Sequence, residues 1–413
     1  MATDRTFNTM LNEYLPLSLL KEELMKRDYL LSNVKKDNSW KGGSLVIPFK
    51  GGGASSVSYG SLTASGDIAE DTFVRGSIGT QPEVWGSMVF HHRDIMEHDK
   101  ISEQNFLKLL PDTITDFSDR LKNVISVNLL NGSHSASATA DGDASGNITV
   151  DRPERFDVGQ KVLVDDDDSV PASGYVQSID INTGVIQIDT TRTSATGTNL
   201  SAYTVAQNAK VYEDGAQAGS FTSLRSQLLP ASVSGGGTTL FGQTKTTYPY
   251  LQAIAGDGST ITAANILEKI FDHLTTVRKL GKGMPTDIVM SYKNLGSVLK
   301  VLESTKGAFN VMPGSQKTSV FGWTEVMVGS VSSQPLKIVG VQEVDDDIIY
   351  FLDWRGLKFY SNGFMRRRIS PDGDSFFEVR AASGFQYIVD MSVFGDLVCY
   401  RPSYQGILHS ISY

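Results

Sequence analysis

Three short stretches of the sequence carry the residue types that bind metal ions. They are His91, His92 and His98 among Asp94, Glu97 and Asp99; the pair Asp141 and Asp143; and the run Asp165, Asp166, Asp167 and Asp168. The histidine stretch lacks the His-Glu-x-x-His spacing of metalloproteases. The loop that begins at Asp141 has Arg152 at its twelfth position, where a calcium loop needs a bidentate glutamate. Aspartate runs at hairpin tips are usually just solvated. We therefore predict no functional metal site and leave incidental cation binding at the aspartates open.

Phosphate binding and nucleophilic catalysis are the other chemistries to consider. The segment Gly237–Thr244 has the glycine spacing of a P-loop, but Gln243 stands where that loop needs its phosphate-binding lysine. No Gly-x-Ser-x-Gly elbow occurs. The single cysteine, Cys399, lies in an apolar strand pattern, where a buried thiol is unreactive. Because no set of nucleophile, base and orienting residue can be named, we predict no catalytic residue, no cofactor and no enzymatic activity.

A basic triplet, Arg366–Arg368, precedes the last strand-rich stretch of the chain. It can pair with carboxylates across a contact between subunits. It can equally keep an exposed strand edge soluble. The sequence leaves both interpretations open.

Composition limits the class of protein. A chain of 413 residues with 40% hydrophobic and 20% charged residues predicts a globular protein of one to three domains. Its apolar runs are far shorter than the roughly 20 residues that cross a bilayer, so we expect no membrane partner. The net charge of −9 argues against a protein that gains its affinity from nucleic-acid phosphates. One cysteine excludes an intrachain disulfide and is typical of a protein made in a reducing cytoplasm.

The elements that must carry any site begin with two arm-like segments. Residues 1–38 place leucines near helical spacing, which predicts a helix that docks on its own core or reaches a neighbouring subunit. Residues 40–95 begin and end with apolar strand patterns around a long Ser/Gly/Thr run. Such a stretch is unusual inside a compact domain and predicts a long hairpin that projects from the body. A lone two-stranded hairpin is marginally stable, so we expect it to lean on another chain.

A long helix and a β-rich insert follow. Apolar residues recur every three or four positions between Ser102, a candidate N-cap, and the helix stop signal Asn131-Gly132. Pro111 conflicts with a single helix, so the prediction is a turn followed by a helix over 111–130. Residues 147–213 hold short alternating strands, with a hairpin turn at Asn182–Gly184, and predict a small barrel or sandwich.

The last third mixes helices and strands. Thr262 is the predicted cap of a helix that ends at Gly281. A strand at 287–290, a helix at 295–302, and strands at 348–352 and 356–360 come next, and a strand-rich stretch runs from 376 to 398.

This order of elements resembles the major capsid protein of tailed double-stranded DNA phages, which has the Hong Kong 97-type capsid fold. The resemblance covers residues 1–131 and about 245–413, and Pro285–Met290 and Gly322–Val326 are its most family-like phrases. It implies an α+β fold with N-arm, extended loop, spine helix, peripheral and axial domains, plus an all-β insertion domain. The implied domains are 1–38 N-arm, 39–98 extended loop, 99–146 peripheral domain with spine helix, 147–213 insertion domain, 214–249 connection, 250–355 axial domain, and 356–413 C-terminal peripheral strands.

The resemblance also implies a function. The chain would assemble as hexamers and pentamers into the icosahedral head of a virion, in the cytoplasm of a bacterial host. It would enclose double-stranded DNA without reading its sequence. Implied partners are a separate scaffolding protein, a portal protein and a cement or decoration protein. Some relatives crosslink through a lysine and a C-terminal asparagine, but here no asparagine follows Asn362 and no lysine follows Lys358, so we expect no isopeptide crosslink.

Two alternatives remain open on the sequence. An encapsulin-like nanocompartment protein shares the fold, although those chains are usually shorter and lack a large β insert. A β-rich adhesin or glycan-binding protein would explain the Ser/Thr-rich strands. Assembly into shells, the content of those shells, and glycan binding by residues 147–213 discriminate these classes.

Overall fold

The computed structural model of the chain shows a mixed α+β protein that divides into two compact units. One unit contains Met1–Asn131 and Thr222–Tyr413, and the other contains Gly132–Phe221. The structure describes residues 21–22, 24–26, 28–41, 43–50, 73–79, 81–91, 103–132, 135–138, 147–165, 172–189, 210–214, 221–233, 236–281, 283–304, 325–328, 336–368, 377–381 and 384–413. The α+β fold class is confirmed.

The helices and strands are numbered in chain order. The α-helices are α1 (Tyr29–Asn33), α2 (Glu103–Asn131), α3 (Leu224–Leu228), α4 (Ile266–Leu280) and α5 (Tyr292–Ser304). The strands of the first unit before its interruption are β1 (Lys35–Asp37), β2 (Leu45–Lys50), β3 (Phe73–Ile78) and β4 (Glu83–His91). The strands of the second unit are β5 (Ser135–Ser137), β6 (Asn147–Thr149), β7 (Lys161–Asp165), β8 (Ala172–Asp180), β9 (Val185–Asp189) and β10 (Lys210–Glu213).

The remaining strands belong to the first unit. They are β11 (Thr239–Leu240), β12 (Gln243–Thr244), β13 (Ile254–Asp257), β14 (Asp287–Met290), β15 (Glu325–Val328), β16 (Leu336–Gly340), β17 (Ile349–Leu352), β18 (Leu357–Tyr360), β19 (Met365–Arg367), β20 (Phe377–Ala381), β21 (Gly384–Phe394), β22 (Asp396–Cys399) and β23 (Gly406–His409). Among the described residues, no helix is long and apolar enough to span a membrane.

A six-stranded sheet, in the order β13-β23-β17-β14-β16-β15, carries a hydrophobic core of the first unit. Its central strand β14 is buried along its whole length, as expected for a strand covered on both faces. Helix α4 contributes a buried stripe of Ile266, Ile270, Leu274 and Val277. The predicted end of α4 at Gly281 is confirmed, since its N–H donates to the Val277 carbonyl.

Two sequence-based boundaries around this sheet are wrong. Helix α4 begins at Ile266 rather than at a Thr262 cap, and the Thr262 backbone carbonyl accepts from the Ile266 N–H instead. The last strand, β23, pairs in parallel with β13 and antiparallel with β17. The chain therefore returns to the sheet of residues 250–355 at its end, and 356–413 is not a single set of peripheral strands. Ile407 is fully buried there, so burial favours this return.

Helix α2 runs without a break from Glu103 to Asn131 and includes Pro111. The prediction that the helix starts at Pro111 is therefore wrong. A proline inside a helix lacks one N–H and costs about 3 kcal/mol. The C-terminal half of α2 buries Leu121, Ile125 and Leu129, and that packing offsets the local penalty. Ser102, the predicted cap, lies outside the described residues.

The described end of the N-terminal segment docks on its own unit. Leu24, Leu30 and Leu31 are buried. The Asp28 carboxylate accepts hydrogen bonds from the Leu31 N–H and the Ser126 hydroxyl of α2. Strand β1 then pairs in parallel with β18. Residues 24–37 thus act as a docking segment, while residues 1–20 lie outside the described part of the chain.

The segment 40–95 does not form one long hairpin. Strand β2 pairs with β3 in register from Leu45–Ile78 to Lys50–Phe73, whereas β4 pairs antiparallel with β21 along its whole length. The predicted pairing of the first strand with residues 83–90 is therefore wrong. One face of the β2–β3 hairpin is buried on its own unit through Ile47 and Phe49. Residues 51–72 lie outside the described residues.

The second unit is a six-stranded sheet in the order β5-β10-β7-β8-β9-β6. An antiparallel bridge between Ala138 and Val150 joins its two ends, so the sheet closes into a barrel. Its interior holds Val162, Val164, Val176, Ile186, Ile188 and Val211, all fully buried. The unit is longer than the predicted 147–213, because β5 is needed to close it. The hairpin turn is confirmed, with Gly184 at a φ of 74°.

Candidate assembly surface

The strand β4 separates a buried face from an exposed apolar face. Val84, Gly86 and Met88 point toward the unit interior, and a Cβ on Gly86 would lie 2.8 Å from the Phe117 ring of α2. Trp85 and Val89 point the other way and are 54% and 48% exposed. Large contiguous apolar exposure is a mark of interaction sites rather than of free surface.

The neighbouring strand β21 continues this arrangement. Its inward residues Val389, Met391 and Val393 are fully buried. On the other face the paired residues are Val89–Ile388, Ser87–Asp390 and Trp85–Ser392, of which Ser392 is buried while Trp85 and Val89 are exposed. The β4–β21 pair thus packs one face on its own unit and presents Trp85 and Val89 on the other.

The outer edge of β4 is a second feature of the same place. Strand β21 has β4 along one side and β19 and β20 along the other. Within the part of the chain that the structure describes, no strand pairs with the far edge of β4. The nine residues of β4, with Glu83 as their one acidic or basic charge at neutral pH, therefore have an edge whose backbone donors and acceptors no described strand pairs with. A long apolar edge of this kind is a template for a strand from another chain.

Charges near this surface are few and locally paired. The Asp390 carboxylate accepts a 2.7 Å hydrogen bond from the Ser87 hydroxyl and lies 3.5 Å from the Arg368 guanidinium. The Arg366 guanidinium lies 4.6 Å from the centroid of the Phe394 ring. Arg366 and Arg368, two of the three arginines of the basic triplet, thus have partners in their own chain, on the edge strand β19 or just after it, which agrees with a charged strand edge.

The β2–β3 hairpin has a complementary exposed face. Val46 is 55% exposed, and it pairs with the exposed Ser77. Pro48 pairs with the exposed Arg75 on the same face. This hairpin face is apolar with a positive charge, whereas the exposed end of β4 has Glu83. The two surfaces are complementary, because both offer apolar contact and the charge of Arg75 on one is opposite to that of Glu83 on the other.

The P-loop-like segment is a tight hairpin. Strands β11 and β12 pair across a turn at Phe241 and Gly242, with φ values of 48° and 83°. The Gln243 side-chain amide donates to the Arg75 carbonyl of β3 at 2.8 Å. No helix begins after this turn, so the geometry of a phosphate loop is absent here. The segment instead fixes the base of the β2–β3 hairpin.

The structure describes only part of the three stretches that carry metal-binding residue types, in which we predicted no functional metal site. His92, Asp94, Glu97, His98 and Asp99, together with Asp141, Asp143 and Asp166–Asp168, lie outside the described residues. Asp165 ends β7 opposite Lys210. Among the described residues, no group of three His, Cys, Asp or Glu side chains could hold a metal ion.

Cys399 is fully buried in β22, and burial raises the pKa of its thiol to about 12. Sequence reasoning did not find two further groups near Cys399 whose pKa values are shifted, Asp396 and Lys245. Burial raises the pKa of Asp396 to about 7, although hydrogen bonds from Thr222 and from the Leu397 N–H act in the opposite direction and lower it. Burial lowers the pKa of Lys245 to about 8, and its ammonium donates to the Ser226 and Leu229 carbonyls. These groups fasten helix α3 to β22, so they stabilise a joint and form no catalytic set.

The surface around β4 was also missed, although a signal was present. The run Val84-Trp85-Gly86-Ser87-Met88-Val89 was recognised as a strand, and its alternation places Trp85 and Val89 on one face. The sequence could not tell which face is covered, because that depends on pairing with β21 about three hundred residues away.

No protein-family model matches the sequence, and no curated protein is significantly similar to it. Solved structures with a similar fold include the capsid asymmetric unit of cyanophage A-1(L), at 14% identity and a TM-score of 0.45 over 94% of this chain and 93% of that one. The capsid of Myoviridae phage XM1 is similar at 9% identity and a TM-score of 0.40 over 92% and 91%. The SrpI encapsulin of Synechococcus elongatus is similar at 6% identity and a TM-score of 0.42 over 94% and 88%.

Proposed function

We propose that this chain is the major capsid protein of a tailed phage and assembles into an icosahedral shell around a double-stranded DNA genome. The observation that carries the proposal is the β4–β21 surface. It combines a nine-residue apolar strand edge with Trp85 and Val89 exposed beside it. In a protein that stayed monomeric, this strand edge would be free to pair with other chains and would promote aggregation.

The occupant of that surface is another copy of the same chain. The outward face of the β2–β3 hairpin offers Val46 for apolar contact and Arg75 for Glu83. A contact between two different patches of identical chains is heterologous, and repeated contacts of this type close into rings when the rotation from one copy to the next divides a full turn evenly. Hexamers and pentamers are such rings, and together they form a closed shell.

The remaining parts take roles in the same proposal. Residues 1–38 act as the N-arm, the β2–β3 hairpin as the base of the extended loop, and α2 as the spine helix of a peripheral domain. The sheet that contains β14 is the core of the axial domain. The barrel of Gly132–Phe221 is an added surface domain. The chain has a structural role and no enzymatic activity. Its partners are a scaffolding protein, a portal protein and a cement or decoration protein, and its final location is the virion.

The test is a substitution of Trp85 by glutamate. Burying its exposed half, roughly 100 Å², stabilises each contact by about 2.5 kcal/mol. A charge in its place adds a desolvation penalty. We expect the Trp85→Glu chain to unfold at the same transition as the wild type, which shows that it is folded. In sedimentation it is expected to form no shells.

The matched control is Ile181→Glu, because Ile181 is 70% exposed on a turn of the barrel and away from any strand edge. The control is expected to assemble. Normal shells from Trp85→Glu would refute the proposed contact. Shells that hold packaged protein and no nuclease-protected DNA would identify an encapsulin-like compartment instead.

A further inference from the structure

A strip of basic and tyrosine side chains lies on the β1–β18–β22 sheet and the turn that follows it. We call this surface the basic–tyrosine strip; it consists of Lys35, Arg355, Lys358, Tyr360, Tyr400, Arg401 and Tyr404. The parallel register of β1 and β18 places Lys35 beside Lys358. Tyr400 and then Arg401 follow the end of β22, which brings the strands and the turn together on one surface.

The rings and the cations of the strip alternate. The ring centroid of Tyr400 lies 5.6 Å from the Lys358 ammonium and 5.7 Å from the Arg401 guanidinium. The same guanidinium lies 5.1 Å from the Tyr404 ring, and Lys358 lies 5.7 Å from the Tyr360 ring. The Tyr400 hydroxyl donates to the Arg355 backbone carbonyl. Contacts of this kind hold the cations in place without neutralising them.

The strip carries an excess of positive charge on an acidic chain. Arg355 is neutralised by Asp353, with hydrogen bonds of 3.0 and 2.7 Å. Lys358 lies 3.9 Å from Asp37, which is a loose ion pair. Arg401 is exposed and has no carboxylate partner among the described residues, and Lys35 is also exposed. Four cations therefore face two carboxylates, in a chain whose net charge is −9.

We propose that the basic–tyrosine strip binds the phosphodiester backbone of nucleic acid without reading its sequence. Lys358 and Arg401 lie within about 11 Å of each other through Tyr400. A separation of about 11 Å corresponds to about three steps of 3.4 Å along the duplex axis, so the two cations can contact two different phosphates of one strand. The tyrosine rings are half-buried and flanked by cations, which leaves the guanidinium and ammonium groups to make the contact.

The inference rests on the proposed function in one respect, because the capsid role supplies the packaged genome that the strip would contact. Its chemistry does not need a shell, and a binding test on the unassembled chain is independent of assembly. Two to three neutralised phosphates give a contact that weakens by roughly 10- to 40-fold between 50 and 200 mM salt. Such a contact is weak for one chain, so packaged DNA stays mobile.

The test is fluorescence anisotropy of labelled duplex and single-stranded DNA with the full-length unassembled chain, titrated at several salt concentrations. We expect Arg401→Gln and Lys358→Gln each to weaken binding by roughly three- to tenfold and to reduce the salt slope by about one. The conservative Arg401→Lys is expected to keep most of the affinity. Lys300→Gln is the matched control, since Lys300 is exposed on α5 and outside the strip.

Three results would overturn the inference. One is the absence of DNA binding by the wild type at low salt. The second is an equal loss in Lys300→Gln, which would indicate general charge attraction. The third is tighter binding of poly-glutamate than of DNA, which would make the strip a site for an acidic protein segment. Equal binding of duplex and single-stranded DNA supports contact with the phosphodiester backbone. None of these measurements requires an assembled shell.

Discussion

Asp396 is the side chain whose ionisation most directly affects the fold. Its carboxyl group is fully buried and accepts hydrogen bonds from the Thr222 N–H and hydroxyl and from the Leu397 N–H. Three donors make the carboxylate tolerable, but burial still raises the pKa to about 7. A group whose pKa is higher in the folded than in the unfolded state binds its proton more tightly when folded, so its contribution to stability falls as pH rises between the two values.

We predict that the free energy of unfolding falls as pH rises from about 4 to about 7, by about 4 kcal/mol from this one group. The substitution Asp396→Asn keeps the shape and removes the ionisation. It should flatten this part of the pH profile and stabilise the chain relative to wild type at pH 8. Denaturant unfolding of both proteins at pH 5 and pH 8 measures the difference. An unchanged pH profile in Asp396→Asn would contradict the assignment.

A second prediction concerns the reactivity of the Cys399 thiol. Since its thiol is fully buried and its pKa is raised to about 12, the reactive thiolate is scarce at pH 8, at roughly one part in ten thousand. A thiol reagent should label the native chain very slowly and the urea-unfolded chain at once. Rapid labelling of the native chain would show that β22 is exposed.

At the scale of elements, the packing of β4 on α2 depends on Gly86. A Cβ there would lie 2.8 Å from the Phe117 ring, closer than real contacts allow. Gly86→Val should therefore push β4 away from α2 and destabilise the chain by about 1–3 kcal/mol. Gly79→Val is the control, because a Cβ on Gly79 meets nothing within 4 Å. Thermal unfolding compares the two, and equal transitions would show that β4 does not lie against α2.

Elements with a strong local period were predictable from the sequence. The four apolar residues Ile266, Ile270, Leu274 and Val277 follow a helical stripe, and all are buried on one face of α4. Strand β14 was predicted from a short apolar run and is buried throughout. In both cases the pattern that specifies the element lies within a few residues.

Pairing between distant strands was not predictable. The alternation in β4 is compatible with β2 as a partner, and only the tertiary fold selects β21. Likewise Pro111 is an unfavourable helix residue, and burial of the later turns of α2 overrides it. The candidate assembly surface follows from the same distant pairing, which is why its strand was recognised and its exposed face was not.

At the scale of the whole molecule, two surfaces of opposite character serve the proposed shell. The apolar edge and face of β4 favour contact between copies, and the hairpin face with Val46 supplies the matching surface. The rest of an acidic chain repels DNA, which keeps a packaged genome from adhering broadly. The basic–tyrosine strip is then a local exception, with few contacts per copy and strong salt dependence.

Electron microscopy of the purified chain, expressed alone and together with its scaffolding protein, shows whether the chain assembles. We expect closed shells of uniform curvature, built from rings of five and six copies. A monodisperse monomer under every condition would contradict this expectation.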